Sequence, residues 1–229
     1  MRQQFNIRNN VGEYLSFQTN SSSGTTFDPL VSVTSSRRGH WDLGVGTQYS
    51  AGTSISYTYS NSATKNVRYY VDRLKNITSI LISSDNLIGH LNLWRITLGG
   101  TFAVDSNPQL TGITHSYSNS QINIYSVYGC DIIGTLDLTM LPNIGTTFST
   151  QSNSNLNYIL HTATSRNFTS YVVNSCDLIG THDISMLSNF GGSSSASTCY
   201  FWIDNNPNLT NITFGNVIFG TFNVFFVVS

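Results

Sequence analysis

Apolar residues in the last two thirds of the chain recur in a fixed arrangement around one position, which we call the rung. Mostly apolar residues stand five and three positions before each rung, and again three and six positions after it. The rungs are Asp85, Asn107, Cys130, Asn153, Cys176 and Asn206. Two apolar residues with one residue between them predict a short strand with one inward face. Each rung is therefore expected to follow a strand and to begin a turn.

The rungs are 22, 23, 23, 23 and 30 residues apart, and the chain repeats itself on that period. The segment CDIIGTLDLTML at 130–141 returns as CDLIGTHDISML at 176–187. Internal repeats of about 20–50 residues predict stacked units, each too small to bury its own apolar face. We expect each Asn rung to bond backbone groups of adjacent coils, with Cys as a compact substitute.

This unit, in which an Asn or Cys separates two apolar pairs, resembles the leucine-rich repeat family. The resemblance implies a right-handed parallel β-solenoid of about six to seven coils at 77–229. Near the C-terminus, Phe222, Val224 and Val227 repeat the strand pattern without a polar rung. We interpret them as part of a closing strand.

The first 76 residues do not follow the rung pattern. Short apolar or alternating runs are separated there by turns rich in Ser, Gly and Thr, an order that predicts an antiparallel β-sandwich. The segment WDLGVG at 41–46, followed by YTY at 57–59, resembles the polycystic-kidney-disease (PKD) type of β-sandwich, although Val45 replaces an Asp of that family. The resemblance implies a PKD/Ig-like sandwich at 1–76, so the fold as a whole is predicted to be mainly β.

The charge content limits the classes of partner. Only 9% of the residues are charged, against roughly 25% in average soluble proteins, a bias typical of extracellular and virion β-proteins. Residues 1–95 carry nine Lys or Arg and five Asp or Glu, whereas residues 96–229 carry one and six. No dense basic stripe is present, which argues against nucleic-acid binding. No apolar run reaches the roughly 20 residues of a membrane span, and the N-terminus lacks a signal-peptide pattern.

The cysteines are predicted to be free. Cys130 and Cys176 are two coils apart, which places their backbones about 10 Å from each other, beyond disulfide reach. We interpret both as buried thiols, expect Cys199 to be buried too, and infer folding in a reducing compartment.

The acidic and histidine residues give little sign of catalysis. Four aspartates recur with the repeat, which favours turn and capping roles over an acid pair or a calcium site: Asp131, Asp137, Asp177 and Asp183. The histidines share no metal-ligand spacing, and we interpret His182 as an inward, hydrogen-bonded residue. No catalytic motif is present. We therefore predict no enzymatic activity, no metal and no cofactor.

A binding face remains as the candidate site. The residues that alternate with the apolar pairs should point away from the core, and the candidate ligand or partner face comprises Tyr128, Gln151, Asn174, Tyr200, Trp202 and Asp204. An exposed Trp with polar neighbours suits a sugar or a protein interface. In the alternative interpretation, the insertion at 191–197 or a neighbouring subunit covers Trp202.

The leading functional hypothesis is a non-enzymatic structural protein of a bacteriophage virion, as capsid decoration, head fibre or tail fibre. It would dock to other virion proteins or to copies of itself, with a host-surface glycan or protein as a further candidate partner. By resemblance, sandwiches that precede leucine-rich coils also occur in bacterial surface proteins. The second hypothesis is therefore a cell-surface adhesin or glycan-binding repeat protein, and the third is a carbohydrate-active enzyme.

Overall fold

The computed structural model describes most of the chain, namely residues 13–34, 39–46, 48–50, 54–118, 120–162, 164–190, 199–215, 218–219 and 224–227. Strands account for 51% of the structure and helix for 2%, which confirms the mainly-β prediction. The central feature is a β-solenoid of about four turns, so stacked parallel strands are confirmed, whereas six to seven coils are not. Within the described part, no helix has the length and apolar character needed to cross a membrane.

Short antiparallel strands make up the N-terminal region. They are β1 (Glu13–Thr19), β2 (Thr26–Phe27), β3 (Leu30–Val33), β4 (His40–Asp42), β5 (Gln48–Ser50), β6 (Tyr57–Thr58) and β7 (Lys65–Val71). One sheet has the order β1-β7-β4-β5, and β2 pairs with β6. Trp41 is buried between Phe17 and Tyr69, with ring centroids 6.4 Å and 4.6 Å away. Gly44 is required in this region because a Cβ there would lie 2.6 Å from the Asn66 carbonyl oxygen.

A 3-10 helix (Leu74–Asn76) leads into the solenoid strands. These are β8 (Ile77–Leu81), β9 (Leu87–Leu93), β10 (Gly100–Ala103), β11 (Gln109–His115), β12 (Ile122–Ser126), β13 (Gly134–Asp137), β14 (Ile144–Ser149), β15 (Leu156–Leu160), β16 (Thr164–Val172), β17 (Gly180–Ile184), β18 (Leu187–Phe190), β19 (Cys199–Trp202), β20 (Leu209–Phe214), β21 (Ile218–Phe219) and β22 (Val224–Val227). The closing strand is present as β22, which pairs in parallel with β19.

The two sides of the solenoid differ in continuity. Strands that precede rungs form one parallel sheet in the order β8-β10-β12-β14-β16, extended by β19 and β22; we call it the front sheet. Strands that follow rungs, here called rear strands, pair two by two as β9–β11, β13–β15 and β17–β20. The structural repeat is thus a pair of coils, which matches the 46-residue spacing of Cys130 and Cys176.

The N-terminal strands cap the first coil on both sides. β1 pairs antiparallel with β9 through Gln18↔Ile88 and Thr19↔Leu87, and β3 pairs antiparallel with β8. Both sheets therefore continue across the predicted boundary at residue 76. The cap also removes the open strand edge that a solenoid end would otherwise expose.

Each Asn rung bonds the backbone of two coils, as predicted. The Asn153 amide is fully buried and donates to the carbonyl oxygens of Val127 at 2.6 Å and Thr150 at 2.8 Å. Its Oδ1 accepts from the Ile132 amide at 3.2 Å. Asn107 and Asn206 repeat the arrangement with the corresponding residues of their own coils. An uncharged side chain thus satisfies buried backbone groups once per coil pair.

The Cys rungs make fewer hydrogen bonds to the backbone than the Asn rungs do. Cys130 and Cys176 are buried and free, and their thiols donate to the carbonyl oxygens of Val104 at 3.1 Å and Thr150 at 3.0 Å. A thiol is a weak donor, and among the described hydrogen bonds of this ladder it is the Asn side chains that accept a bond from the preceding coil. The prediction of buried, free thiols at these two rungs is confirmed. The side chain of Cys199 lies outside the described residues.

The third position after a Cys rung faces solvent, which corrects the expectation that it would be buried. Ile133 is 59% exposed and Ile179 is also exposed, whereas Ile132 and Leu178 are buried. The backbone amides of the two buried residues donate to the Asn rung of the next coil, and this bond holds their side chains inward. After Asn rungs the third position faces inward as expected, in Leu110 and Leu156.

The residue before every rung has a left-handed backbone, a feature that the apolar pattern does not predict. The φ angles lie between 52° and 63° for Ser84, Ser106, Gly129, Ser152, Ser175 and Asn205. Glycine adopts this conformation freely, and other residues adopt it at a cost of about 1–2 kcal/mol. The reversal ends the front strand and turns the rung side chain into the core.

A column of stacked aromatic rings fills the interior behind the front sheet. Its members stand five residues before their rungs, are all buried, and are Phe102, Tyr125, Phe148, Tyr171 and Phe201. Successive ring centroids are 5.1, 5.5, 4.9 and 5.4 Å apart. Offset or tilted stacking at this distance stabilises aromatic pairs beyond the burial of their area.

Candidate ligand-binding face of the solenoid

The predicted face residues lie together on the outward side of the front sheet. Strand register aligns Ile124, Thr147, Ser170 and Tyr200 in one row and Ser126, Ser149, Val172 and Trp202 in the next. The third row contains Tyr128, Gln151, Asn174 and Asp204. Its register is fixed by backbone bonds from Gly129 to Gln151, from Ser152 to Asn174 and from Ser175 to Asp204.

Side-chain size divides this surface into a floor and two walls. The floor is two strands wide, is made of small or polar side chains, and comprises Thr147, Ser149, Gln151, Ser170, Val172 and Asn174. One wall is formed by Tyr200 and Trp202, which are 52% and 43% exposed. The other wall is formed by the exposed side chains of Ile124 and Tyr128. We call this shallow depression the trough.

Two acceptor oxygens beside the Trp202 wall have no hydrogen-bond partner within the described part of the chain. They are Oδ1 of Asn174 and Oδ1 of Asp204. Asn174 is only 9% exposed although it stands on the outward side of the sheet. Buried polar atoms are nearly always paired in native structures, so each exception needs an explanation.

Asp105 is the residue of an earlier coil that corresponds to Asp204, and its side-chain oxygen is hydrogen-bonded. Its Oδ1 accepts from the Ser126 hydroxyl at 2.6 Å and from the Tyr128 amide at 2.8 Å. Among the described residues, the equivalent oxygen of Asp204 has no such donor. The unpaired oxygens therefore belong to the last described coils and not to the repeat as a whole.

A second cluster of polar groups lies inside the solenoid. The Tyr171 hydroxyl is 2.8 Å from Nε2 of His161 and 2.8 Å from Nε2 of His182, so it donates to one imidazole and accepts from the other. Burial lowers the pKa of His161 to about 3 and that of His182 to about 4. Both rings are neutral at pH 7. The interpretation of His182 as an inward, bonded histidine is confirmed.

A cavity of about 170 Å³ opens next to these histidines, where the rear strands β15 and β17 are not paired. Tyr158, Leu160, Ile179 and Met186 form its apolar wall. The His161 and His182 rings that reach it are already bonded to Tyr171. In the described ranges, no group of three or more His, Cys, Asp or Glu side chains is placed to hold a metal ion.

The recurring aspartates have two structural roles: Asp137 and Asp183 have the predicted turn role, whereas Asp131 and Asp177 bond a neighbouring coil, which was not predicted. Asp137 and Asp183 accept bonds from backbone amides two residues further on, at 2.9 Å in both cases. Asp131 and Asp177 accept from the side-chain amides of Asn155 at 2.6 Å and of Asn208 at 2.7 Å. These four carboxylates therefore stabilise turns and neighbouring coils.

Sequence reasoning missed two parts of these sites. Ile124 belongs to the trough, but its single apolar side chain gives no signal that distinguishes it from a core residue. The histidine contacts do carry a signal, because His115 precedes Tyr125 by ten residues and His161 precedes Tyr171 by ten. The insertion at 191–197, predicted as a cover for Trp202, lies outside the described residues.

Comparison of this chain with protein-family models, with curated proteins and with solved structures finds no match. The functional assignment therefore depends on the residues and geometry described above.

Proposed function

We propose that this chain is a non-enzymatic structural protein of a bacteriophage particle, placed on the capsid as decoration or head fibre, or in a tail fibre. The observation that carries the proposal is the use of free thiols as rungs. Cys130 and Cys176 are buried and form no disulfide, and burial raises their pKa to about 12 and about 11. Thiols of this kind favour folding in a reducing compartment and resist oxidation afterwards. A virion protein folds in the cytosol and functions outside it.

The finer fold assignment is part of the same proposal. The N-terminal residues 1–76 form a PKD/Ig-like sandwich, supported by the antiparallel pairing of β1, β7 and β4 around Trp41. Residues 77–229 form a right-handed, leucine-rich-repeat-like solenoid of six to seven coils. The Asn and Cys rungs and the parallel front sheet support this part.

The N-terminal unit docks to the particle and the solenoid projects from it. Exposed apolar side chains along the rear strands suit contact with other virion proteins or copies of this chain, as expected where apolar residues cluster on a surface. They are Ile133, Tyr158, Leu160, Ile179 and Met186. The proposed function involves neither nucleic-acid binding nor membrane insertion.

Mass spectrometry of purified phage particles tests the assignment. We expect the chain in stoichiometric amount, in hundreds of copies for a capsid protein and a handful for a tail fibre. Alkylation before denaturation should leave Cys130 and Cys176 unmodified, and alkylation after denaturation should modify both. Absence of the chain from particles would overturn the proposal.

A bacterial cell-surface adhesin is the second candidate function. The exposed Tyr200 and Trp202 favour it, because aromatic side chains are enriched at recognition surfaces. Recovery of the chain from the bacterial envelope, with none in particles, would select this function over the first.

A further inference from the structure

We infer that the trough binds a neutral glycan, whose sugar rings stack on Trp202 and whose hydroxyl groups donate to Asn174 and Asp204. The inference concerns the isolated chain, so it holds whether the protein is displayed on a particle or on a cell. It assigns a ligand class to the trough, which the proposed structural role does not require.

The dimensions of the trough suit a single sugar chain. Three strand spacings separate β12 from β19, which is roughly 14 Å between the two walls. The floor between them contains hydroxyl, amide and small apolar side chains and presents no bulky residue. A shallow, open site of this kind admits an extended polymer, whereas a small apolar ligand requires a deeper enclosure.

The unpaired oxygens supply the argument for a hydroxyl-rich ligand. An unsatisfied buried acceptor costs about 1–3 kcal/mol, and Asn174 and Asp204 each have one, on neighbouring strands, when partners are sought in the described ranges. Both oxygens are buried in the structure. Because both residues stand on the outward side of the sheet, rotation about the side-chain bonds on ligand binding would bring either oxygen to the trough. A sugar has hydroxyl groups on adjacent ring carbons. These groups are hydrogen-bond donors and would satisfy both oxygens.

The charge of the trough selects neutral sugars. Asp204 is its charged member, and no Lys or Arg is among the wall and floor residues. An acidic glycan would place like charges beside Asp204, which is unfavourable at an interface. The single basic residue of the chain after residue 95 is Arg166, which is not one of these residues.

The test is a glycan-array screen of the labelled full chain, followed by calorimetric titration with cellohexaose, mannohexaose and chitohexaose. A heparin hexasaccharide serves as the acidic probe. We expect at least one neutral hexasaccharide to bind, and Trp202→Ala and Asn174→Ala each to weaken that binding by about tenfold or more, as expected for loss of a stacking surface or a hydrogen-bond partner. Tyr200→Ala is a further wall variant, and circular dichroism verifies the fold of each.

Trp94→Ala is the matched control, because Trp94 is also an exposed Trp but stands after the rear strand β9. It should bind as the unmodified chain does. The inference is overturned if no neutral hexasaccharide binds at about 1 mM, if heparin alone binds, or if Trp94→Ala weakens binding as much as Trp202→Ala. Binding to virion or host proteins without any sugar binding would identify the trough as a protein interface and also overturn it.

Discussion

At the scale of single residues, the three kinds of rung differ in what they can satisfy. An Asn rung donates to two coils and accepts a bond from the preceding coil. A Cys rung donates to a carbonyl oxygen of the preceding coil. Asp85 accepts from the Asp28 amide at 2.7 Å, and its other carboxyl oxygen has no partner within the described ranges. The Asn rungs therefore contribute most to holding coil pairs together.

Replacement of Asn153 by Ala should lower the free energy of unfolding by about 3–5 kcal/mol, because the carbonyl groups of Val127 and Thr150 and the amide of Ile132 lose their partner. Asn153→Cys should lower it less, since the thiol can still donate. Urea denaturation measures both changes. The exposed neighbour Ser154→Ala is the control, with an expected change within about 0.5 kcal/mol. A loss below about 1 kcal/mol for Asn153→Ala would contradict the role of the ladder.

The two tyrosines of the aromatic column provide a matched pair. Tyr171→Phe leaves two histidines, His161 and His182, without the hydroxyl that they share, whereas Tyr125→Phe leaves only His115. We expect the first substitution to destabilise the protein by about 2–4 kcal/mol and the second by about 1–2 kcal/mol. Chemical denaturation of both variants tests the order, and equal losses would contradict the shared hydrogen bonds.

Asp85 should make stability depend on pH. Burial raises its pKa to about 7, so the folded state keeps a proton that the unfolded state releases near pH 4. The unmodified protein therefore loses stability as the pH rises from about 4 to about 7. Asp85→Asn should gain at least about 1 kcal/mol relative to the unmodified protein between pH 5 and pH 8, measured by urea denaturation.

Asp183→Asn provides the comparison for this titration. Hydrogen bonds from Ser185 lower the pKa of Asp183 below its usual value, so its ionisation lies below pH 5. The difference between this variant and the unmodified protein should stay constant from pH 5 to pH 8. A constant difference for Asp85→Asn as well would show that Asp85 is ionised in the folded protein.

At the scale of elements, the sequence predicts the front sheet well and the rear strands less well. The regular spacing of the rungs is enough to indicate parallel strands in register. The doublets Ile132-Ile133 and Leu178-Ile179 are apolar at both positions, so the pattern cannot tell which residue faces inward. That choice depends on a bond to an Asn of the next coil, which is a long-range contact.

The left-handed backbone conformation before each rung could not be predicted from the sequence, for a related reason. Ser stands there in most coils and Gly in one, and neither residue departs from the Ser- and Gly-rich composition of the chain. The trough was only partly predictable, because alternation indicates outward residues but not which of them remain unpaired. The antiparallel cap by β1 and β3 has no counterpart in the repeat and could not be derived from it.

Substitutions at the left-handed position should follow backbone preference. Ser152→Gly should be neutral or stabilise by up to about 1 kcal/mol, and Ser152→Val should destabilise by about 2 kcal/mol. Gly129→Ala should destabilise by about 1 kcal/mol through its backbone alone, since the new Cβ would be 3.7 Å from the nearest atom, Cα of Ser106. Thermal denaturation ranks the variants. Equal effects of Ser152→Gly and Ser152→Val would contradict this explanation.

At the scale of the whole molecule, one end of the chain is basic and the other acidic. Residues 1–95 have a formal charge of +4, from nine basic and five acidic residues, and residues 96–229 have −5, from one and six. This difference in charge can orient the molecule toward a charged partner within about one Debye length. The proposed docking through the N-terminal region would use the basic end of the chain.

The N-terminal strands and the first coil are joined by more than sheet pairing. The backbone oxygen of Asp85 accepts from the Thr19 hydroxyl at 2.6 Å and the Ser21 hydroxyl at 2.8 Å. The buried Lys65 ammonium donates to the Ser21 carbonyl oxygen at 2.9 Å. These contacts, with the pairing of β1 to β9 and of β3 to β8, make the cap and the solenoid one body.

Hydrogen exchange with mass spectrometry across a urea series measures whether the cap and the solenoid unfold together. If the cap and the solenoid form one cooperative body, amides of β1 and β7 should lose protection at the same urea concentration as those of β9 and β12. Loss of protection in the N-terminal strands at a lower urea concentration, with the solenoid still protected, would show that the cap and the solenoid are two independent units.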